Sequence, residues 1–525
     1  MYHIDLKKDK PDIGYMQCKV SELMKRGIRL ADCNKIKNYY ISLRDKLKEN
    51  FTESYGVQNP NSPKQIVTYL QVLSSRFDIN SKNDIINICY DSENKKWTTD
   101  AESMEKLADL GYEFAKDLLD YRHAKKYAES IQSITEAADE NGLVHPEVTL
   151  SKTNRINYAN PGLLTIPKKL LWHLITPYKD GNILYSVDIK NQEPSILINM
   201  TGADELKYAL ESDEGLYETM FKQCFVPTAT ANVLVDTFPE DRVYSYAEIR
   251  KIGTVSPAMY SAAKARVSGY MLNGKRIIEI ETICLGGTKG VYPKLPNTVK
   301  VELEDGTIAE VGVEWESADK KYTKSSDYSL DGRLLGVEIE VSKAERNEFK
   351  RAYLALSYGA SSFGIDAMCK IIDGKRVYQY VTGISAIKNY RKQIKDYAKN
   401  GRNIICTVFG TRLFAGEIYE SKKLERTLMN IPIQGSGADI VSLLLRHFYD
   451  YTSCNAISDK MSVYYTRHDE LIIEVDKDWY NSVGREKVES ILKDMLEHQI
   501  NDWTPFKIEI SQTKAASIGI EFEDE

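Results

Sequence analysis

The stretch "YYTRHDELIIEV", residues 464 to 475, sets Asp469 and Glu470 side by side inside an apolar, β-prone run. Burying an unpaired carboxylate is costly, so three arrangements are open. The pair can sit at a turn tip in water, or one member can pair with Arg467. The third arrangement is a metal site completed by a carboxylate from elsewhere in the chain. Asp188 is the candidate, because it ends a second β-prone run, "NILYSVD". Two strands that bring two aspartates to adjacent ends can hold two Mg²⁺ ions roughly 3.5–4 Å apart, activating an attacking hydroxyl and stabilising the departing oxygen. Mg²⁺ prefers few protein carboxylates together with substrate phosphates, so two aspartates suffice.

A third stretch, "RNEFKRAYLALSYG", repeats chemistry every four residues: Arg346, Lys350, Leu354 and Tyr358. Each such step turns a helix by only about 40°, which predicts one face carrying a guanidinium, an ammonium, an apolar plug and a phenol. The cations suit phosphates, and the apolar and aromatic end suits a base. A surface helix with its tyrosine in a core is the plainer alternative for this stretch alone.

The elements that must position these residues follow from composition and periodicity. The chain has 525 residues, 42% hydrophobic and 28% charged, as expected of a multidomain globular protein. No apolar run approaches the roughly 20 residues that span a bilayer, and "MYHIDLKKDKPDIGY" lacks the apolar stretch of a signal peptide. Eight scattered cysteines without a CxxC pair suit a reducing cytoplasm and offer no zinc site. The net charge of −6 speaks against a nucleic-acid partner for the chain as a whole, yet only a binding face need be basic. "KTNR", "PKK", "SKAERNEFKR" and "IKNYRKQIKDYAKNGR" could supply one.

Residues 15 to 140 carry helical periodicity, and "QEPSILINMTG" reads as a helix opening directly after Asp188. Between about 276 and 341 the pattern becomes short strands. "VKVELEDGTIAEVGVEWE" is a hairpin, and "YSLDGRLLGVEIEV" adds an Asp-Gly turn and a strand. With "LPNTVKVELEDGT" and "VEW", this segment resembles a bacterial immunoglobulin-like module. Helix returns to about residue 400; "NIICTVFGTRLF" is a strand pair turning at Gly410, and "ERTLMNIPIQGSGADIVSLLLRHFYDY" is one long helix.

Taken in order, the motifs resemble those of the family A DNA polymerases. "VDIKNQEPSI" is similar to the first catalytic motif "DYSQIELRI", "RNEFKRAYLALSYG" to the nucleotide helix "RxxxKxxxFxxxYG", and "HDELIIEV" to "HDELVFEV". "TNRINYANPGLLTIP" and "ERTLMNIPIQGSGADI" resemble two further motifs, so about residues 15–220 and 343–525 are covered. The resemblance implies an α+β right-hand fold: thumb, palm with an antiparallel sheet, and helical fingers, with the β-rich immunoglobulin-like insertion in the fingers. The expected division is thumb 1–150, palm 151–204, helical fingers 205–272, insertion 273–342, fingers 343–400 and palm 401–525.

The same resemblance implies roles. Asp188 and Asp469, with the carbonyl of Ile189, would ligate two Mg²⁺ ions, for which Mn²⁺ can substitute; Glu470 would support them near the primer end. Arg346 and Lys350 would grip the incoming dNTP, with Lys350 protonating the leaving pyrophosphate. Leu354, Tyr358, Gln192 and Glu193 would line the nucleotide pocket, Glu193 excluding a ribose 2′-hydroxyl. Arg155, Arg426, Asn430, Gln434, Gly359 and His468 would touch primer-template DNA, reading duplex shape more than sequence. Gly359 would also let the helix swing on closure.

Departures from the family pattern are Leu354 in place of an aromatic ring, Tyr217 in place of a phosphate-contacting histidine, and Thr466 in place of a glutamine. Nothing precedes the thumb-like helices, which implies no proofreading exonuclease. The remaining expectations are a monomer without a membrane partner, a cytoplasmic location, a phage or mobile-element origin, and a replication or processivity partner bound through the insertion. Two rivals stand beside this reading. "KRAYLALSYGASSFGI" also resembles the helix of single-subunit RNA polymerases, against which Glu193, "NIPIQGSGADI" and "HDE" are of the DNA type. A polymerase-like DNA-binding factor without catalysis would not need Asp188, Asp469, Arg346 and Lys350 intact.

Overall fold

The computed structural model of the chain describes residues 1–76, 85–86, 88–91, 96–109, 111–235, 243, 263–264, 269–287, 294–316, 328–369 and 371–512. It is a mixed α and β protein that divides into two compact units. The first comprises residues 1–190, 437–501 and 505–525; the second comprises 191–436 and 502–504.

In the first unit, the expected helical region is built from Ile13–Arg26, Asn34–Tyr55, Pro63–Arg76, Ala101–Asp109 and Glu113–Glu136. Phe51, Leu70, Leu107, Phe114 and Leu118 form one of its cores. Tyr69 stacks on Phe114 at 4.3 Å between ring centroids. The expected antiparallel sheet is present with four strands in the order Met461–Arg467, Glu470–Val475, Ile183–Ile189, Ile508–Gln512. Leu184, Tyr185, Val187, Leu471, Ile472, Ile473 and Val475 are all buried. Each full burial of an aliphatic side chain is worth about 1.5–3 kcal/mol, so the register of these strands is strongly held. Leu471, Ile472 and Ile473 are buried in succession, so both faces of that strand are covered.

The second unit departs from expectation in three places. The segment read as helical fingers over 205–272 is helical in Asp204–Glu211 and Leu216–Cys224, but Thr228–Val235 is a strand. "TATANVLV" is β-branched and alternating, and it finds sheet partners on both sides, Ile283–Gly287 in parallel and Tyr328–Leu334 antiparallel. The insertion's sheet therefore begins about 45 residues before the expected boundary, although most of 236–262 lies outside the described residues. The pairing path runs from Ile283–Gly287 through Thr228–Val235, Tyr328–Leu334, Ile308–Trp315, Thr298–Leu303, Lys275–Ile280 and Tyr270–Leu272 to Glu338–Ile339.

The second departure is Asp331-Gly332, which makes no turn but lies inside the Tyr328–Leu334 strand. Gly332 pairs with Trp315, and a Cβ there would come within 2.5 Å of the indole, so the glycine makes room for the ring. By contrast "EDGT" is the expected hairpin turn, with Gly306 at φ +78°. The third departure concerns boundaries: residues 191–204 and 401–436, expected in the palm, group with the second unit. Their side chains explain this. Ile198 and Ala203 belong to the core that holds Phe349 and Tyr353, and Leu424, Leu428 and Met429 share a core with Ile394, Ala398 and Leu413.

The long helix is Ser421–Cys454. It is long and apolar enough to cross a membrane by composition, yet 89% of its most apolar window is buried in the protein, as in a core helix.

Candidate active site

His468 and Asp469 form the two-residue turn between the strands that close on the pair Arg467 and Glu470. His468 takes φ +56°, the left-handed conformation such tight hairpins require. Arg467 donates from Nη2 to the Ile166 carbonyl at 3.0 Å, which anchors the loop before Lys168. Tyr158 fastens the same region by donating its hydroxyl to the Thr466 carbonyl at 2.9 Å. Thr466, the departure from glutamine, is thus a buried anchor of the hairpin base.

Asp188 lies across from Glu470 on one side and from Glu509 on the other, and the Ile189 N–H donates to the Asp469 carbonyl at 3.3 Å. The two aspartates expected to share a metal therefore meet at the ends of paired strands. Burial first, and then the Asp469 charge, lift the Asp188 carboxyl from its ordinary 3.8 to about 6, with Lys168 opposing. Glu470, 3% exposed, accepts from the Ser186 hydroxyl. Lys168 places Nζ 2.8 Å from Glu470 Oε1 and 3.6 Å from Asp188 Oδ2. Burial works against the Lys168 charge, but the two carboxylates outweigh it and its pKa is raised.

These residues fit a divalent ion on their own chemistry. Two oxygen-ligand aspartates adjoin with an excess of negative charge, and an ammonium is already drawn to the cluster. Among the described residues no trio of His, Cys, Asp or Glu side chains could hold a metal unaided. Mg²⁺ needs few protein carboxylates when substrate phosphates complete its shell.

In the second unit, Lys343–Ser357 is the expected helix. Ser342 caps it reciprocally with Glu345: the Glu345 N–H donates to Ser342 Oγ at 3.2 Å, and the Ser342 N–H to Glu345 Oε2 at 3.1 Å. Phe349, Ala352, Tyr353 and Leu356 are buried, and Arg346, Lys350, Leu354 and Tyr358 remain half-exposed on the other side. Glu348 accepts from the N–H groups of Ile371 and Ile372, both at 2.9 Å, tying the helix to the next loop.

Tyr217 is buried, its ring lying 5.7 Å from the Arg346 guanidinium and 5.4 Å from Lys350 Nζ. It underlies both cations, an apolar floor with a favourable π face. Arg346 also donates from Nε to Glu218. Gln192 is buried and Glu193 half-exposed in the first turn of the helix Gln192–Thr201. Gly359 has φ +86°, and a Cβ on it would press on Met429 Sδ at 3.0 Å and Arg426 Cγ at 3.2 Å. Arg426, Asn430 and Gln434 recur at four-residue spacing on the long helix, Arg426 exposed and the other two partly so. In the first unit, Arg155 is half-buried just before the strand Ile156–Ala159, and its N–H donates to Ser151 Oγ at 3.1 Å.

Lys168, Ser186 and Glu218 went unmarked in the sequence reading. Ser186 was within reach, since strand alternation puts it on the face of Asp188. Lys168 appeared only as part of the basic "PKK", and Glu218 had no signal apart from its place next to Tyr217.

The sequence model for DNA polymerase family A matches residues 31–233 and 332–517, and that for the bacterial Ig-like domain (group 4) matches 278–337. DNA polymerase I of Caldicellulosiruptor bescii is 22% identical over 508 residues, which cover 94% of this chain and 45% of that protein. DNA polymerase I of Mycobacterium tuberculosis is 27% identical over 173 residues, 31% of this chain and 18% of that protein. This chain thus spans less than half the length of these relatives. Among solved structures, the POL domain of Pol1 from M. smegmatis, in complex with DNA primer-template and dNTP, superposes with a TM-score of 0.61 at 16% identity. That match covers 95% of this chain and 69% of the other, and the fold is shared.

Proposed function

Because this chain belongs to DNA polymerase family A, we propose that it is a DNA-directed DNA polymerase that extends a primer from dNTPs and releases pyrophosphate. The reading rests above all on Asp188 and Asp469 meeting at the ends of paired strands. Divalent cations held there would activate the primer hydroxyl and offset charge on the reacting phosphate. Asp188, Asp469 and the Ile189 carbonyl are the ligands, and Glu470 supports them from a buried position. Arg346 and Lys350 bind the triphosphate from the cationic helix face, and Lys350 donates a proton to the leaving pyrophosphate. Tyr217 holds both cations from below. Glu193 occupies the space of a 2′-hydroxyl, and Tyr358 packs at the nascent base pair. The structural relative is a complex with DNA primer-template and dNTP, which supports the same partners here. Arg155, Arg426, Asn430, Gln434 and His468 are the proposed DNA contacts, and the insertion modulates grip on the template.

Primer extension on a primed template tests this. Wild-type protein with Mg²⁺ is expected to incorporate dNTPs in preference to rNTPs, and Asp469→Ala to retain primer-template binding. Loss of a metal ligand removes several kcal/mol of transition-state stabilisation, so extension by Asp469→Ala should fall about 10³-fold or more. Near-normal extension by that variant would defeat the catalytic assignment, and preferred rNTP use would favour the RNA-polymerase reading. A mismatched primer terminus added to the same assay tests the expectation of no proofreading; excision of the terminal base would contradict it.

A further inference from the structure

Lys168 is the feature of the acidic site that the proposed chemistry leaves unused. Its backbone is fixed from both directions: the Ile166 carbonyl before it is held by Arg467, and after it runs the helix Lys168–Leu174, which it opens. Its ammonium reaches two carboxylates at once, Glu470 at 2.8 Å and Asp188 at 3.6 Å. Glu470 is buried and accepts from the Ser186 hydroxyl, and the charge of a buried carboxylate calls for a nearby cation. Asp188 is the shared partner, and on the reading proposed above it is also a metal ligand. A divalent ion at Asp188 and an ammonium within a few ångströms of the same oxygen repel one another. Lys168 is 41% exposed on a flexible four-carbon stem, so its head can withdraw into water.

We infer that Lys168 is a resident cation that suppresses divalent-metal binding by the nucleotide-free enzyme and couples metal entry to arrival of the triphosphate. Without nucleotide, Lys168 offsets the carboxylate charge and the metal has weak purchase. A bound triphosphate brings several negative charges, which restores a net attraction for divalent ions despite the ammonium. Lys168 is thus a positioning residue, acting on the metal through Asp188 and Glu470. This inference depends on the metal-site reading and deepens it.

The test is titration of the nucleotide-free protein with Mn²⁺, following the electron paramagnetic resonance signal of the free ion. Lys168→Met should bind Mn²⁺ more tightly than wild type, on the order of tenfold given that each tenfold reflects about 1.4 kcal/mol. Lys168→Arg should stay near wild type, because it keeps the charge. The increment in Mn²⁺ affinity produced by a non-hydrolysable dNTP analogue should be smaller in Lys168→Met than in wild type. Lys168→Gln provides a second neutral variant should the methionine protein misfold, and circular dichroism checks both. Unchanged or weaker binding in a folded neutral variant, or no measurable binding in any variant, overturns the inference. If Asp188→Ala in the Lys168→Met background leaves the tight binding intact, the metal-site reading fails as well. If the Mn²⁺ differences hold but wild-type protein extends no primer, the polymerase reading fails and the role of Lys168 stands.

Discussion

At the scale of single residues, the acidic strand ends are an electrostatic compromise. Burial first, and then the Asp469 charge, lift Asp188 to about 6, and Lys168 offsets part of this. A carboxyl raised above its ordinary 3.8 binds a proton more readily in the folded state than in the unfolded one. Its contribution to stability is therefore fully present below about pH 4 and lost as pH rises through about 6. Asp188→Asn removes the charge that the fold disfavours. In metal-free buffer with chelator, the variant should match wild type in thermal stability near pH 4 and exceed it near pH 7.5. A gap in melting temperature that does not widen with pH would show that Asp188 is not strained in this way. Asp188 and Asp469 were legible as a pair because both end β-prone runs. Lys168 was not, because a lysine after "TIP" has no meaning until the loop is pinned by Arg467 and Tyr158.

At the scale of elements, the cationic helix depends on its first turn. Arg346 lies one residue beyond Glu345, which the capping box locks to Ser342. Ser342→Ala removes the cap, at a cost of about 1 kcal/mol by analogy with measured caps. Hydrogen exchange should accelerate over residues 343–350 and, on the proposed function, the KM for dNTP should rise several-fold with kcat less affected. Exchange rates equal to wild type would mean that the helix start is held by packing on Phe349 and Tyr353 instead. The capping box and the four-residue repeat were both written in the local sequence. The Asp331-Gly332 dipeptide misled because its meaning is tertiary: the glycine answers to Trp315 on the neighbouring strand and not to a turn.

At the scale of the whole molecule, the β-rich insertion is not an appendage. One core in the second unit joins Ile198, Tyr217, Phe349 and Tyr353 with Val299, Val301 and Val311 of the insertion. The strand Thr228–Val235 has both its partners within 283–334. Deletion of residues 273–341 would strand that element and open the core beneath the cationic helix. The deleted protein is expected to lose cooperative unfolding of the second unit, read as a broadened thermal transition and rapid proteolysis within residues 191–436. A deletion protein that melts cooperatively and extends primers as well as the full chain would show the insertion to be independent. The earlier start of this sheet was hidden in sequence because an isolated alternating run near residue 230 names no partner.

Motifs carried whole in the chain resembled the family, and residues close together were enough to mark the helix with its cationic face, the hairpin at 464–475 and the two aspartates as candidates. Folding alone decided that Lys168 reaches Glu470 and Asp188, that Tyr217 lies beneath Arg346 and Lys350, and that the insertion shares its core with the helices around it. Those contacts join residues tens to hundreds of positions apart. Their energies come from burial and charge compensation, which exist only once distant segments have excluded water from between them.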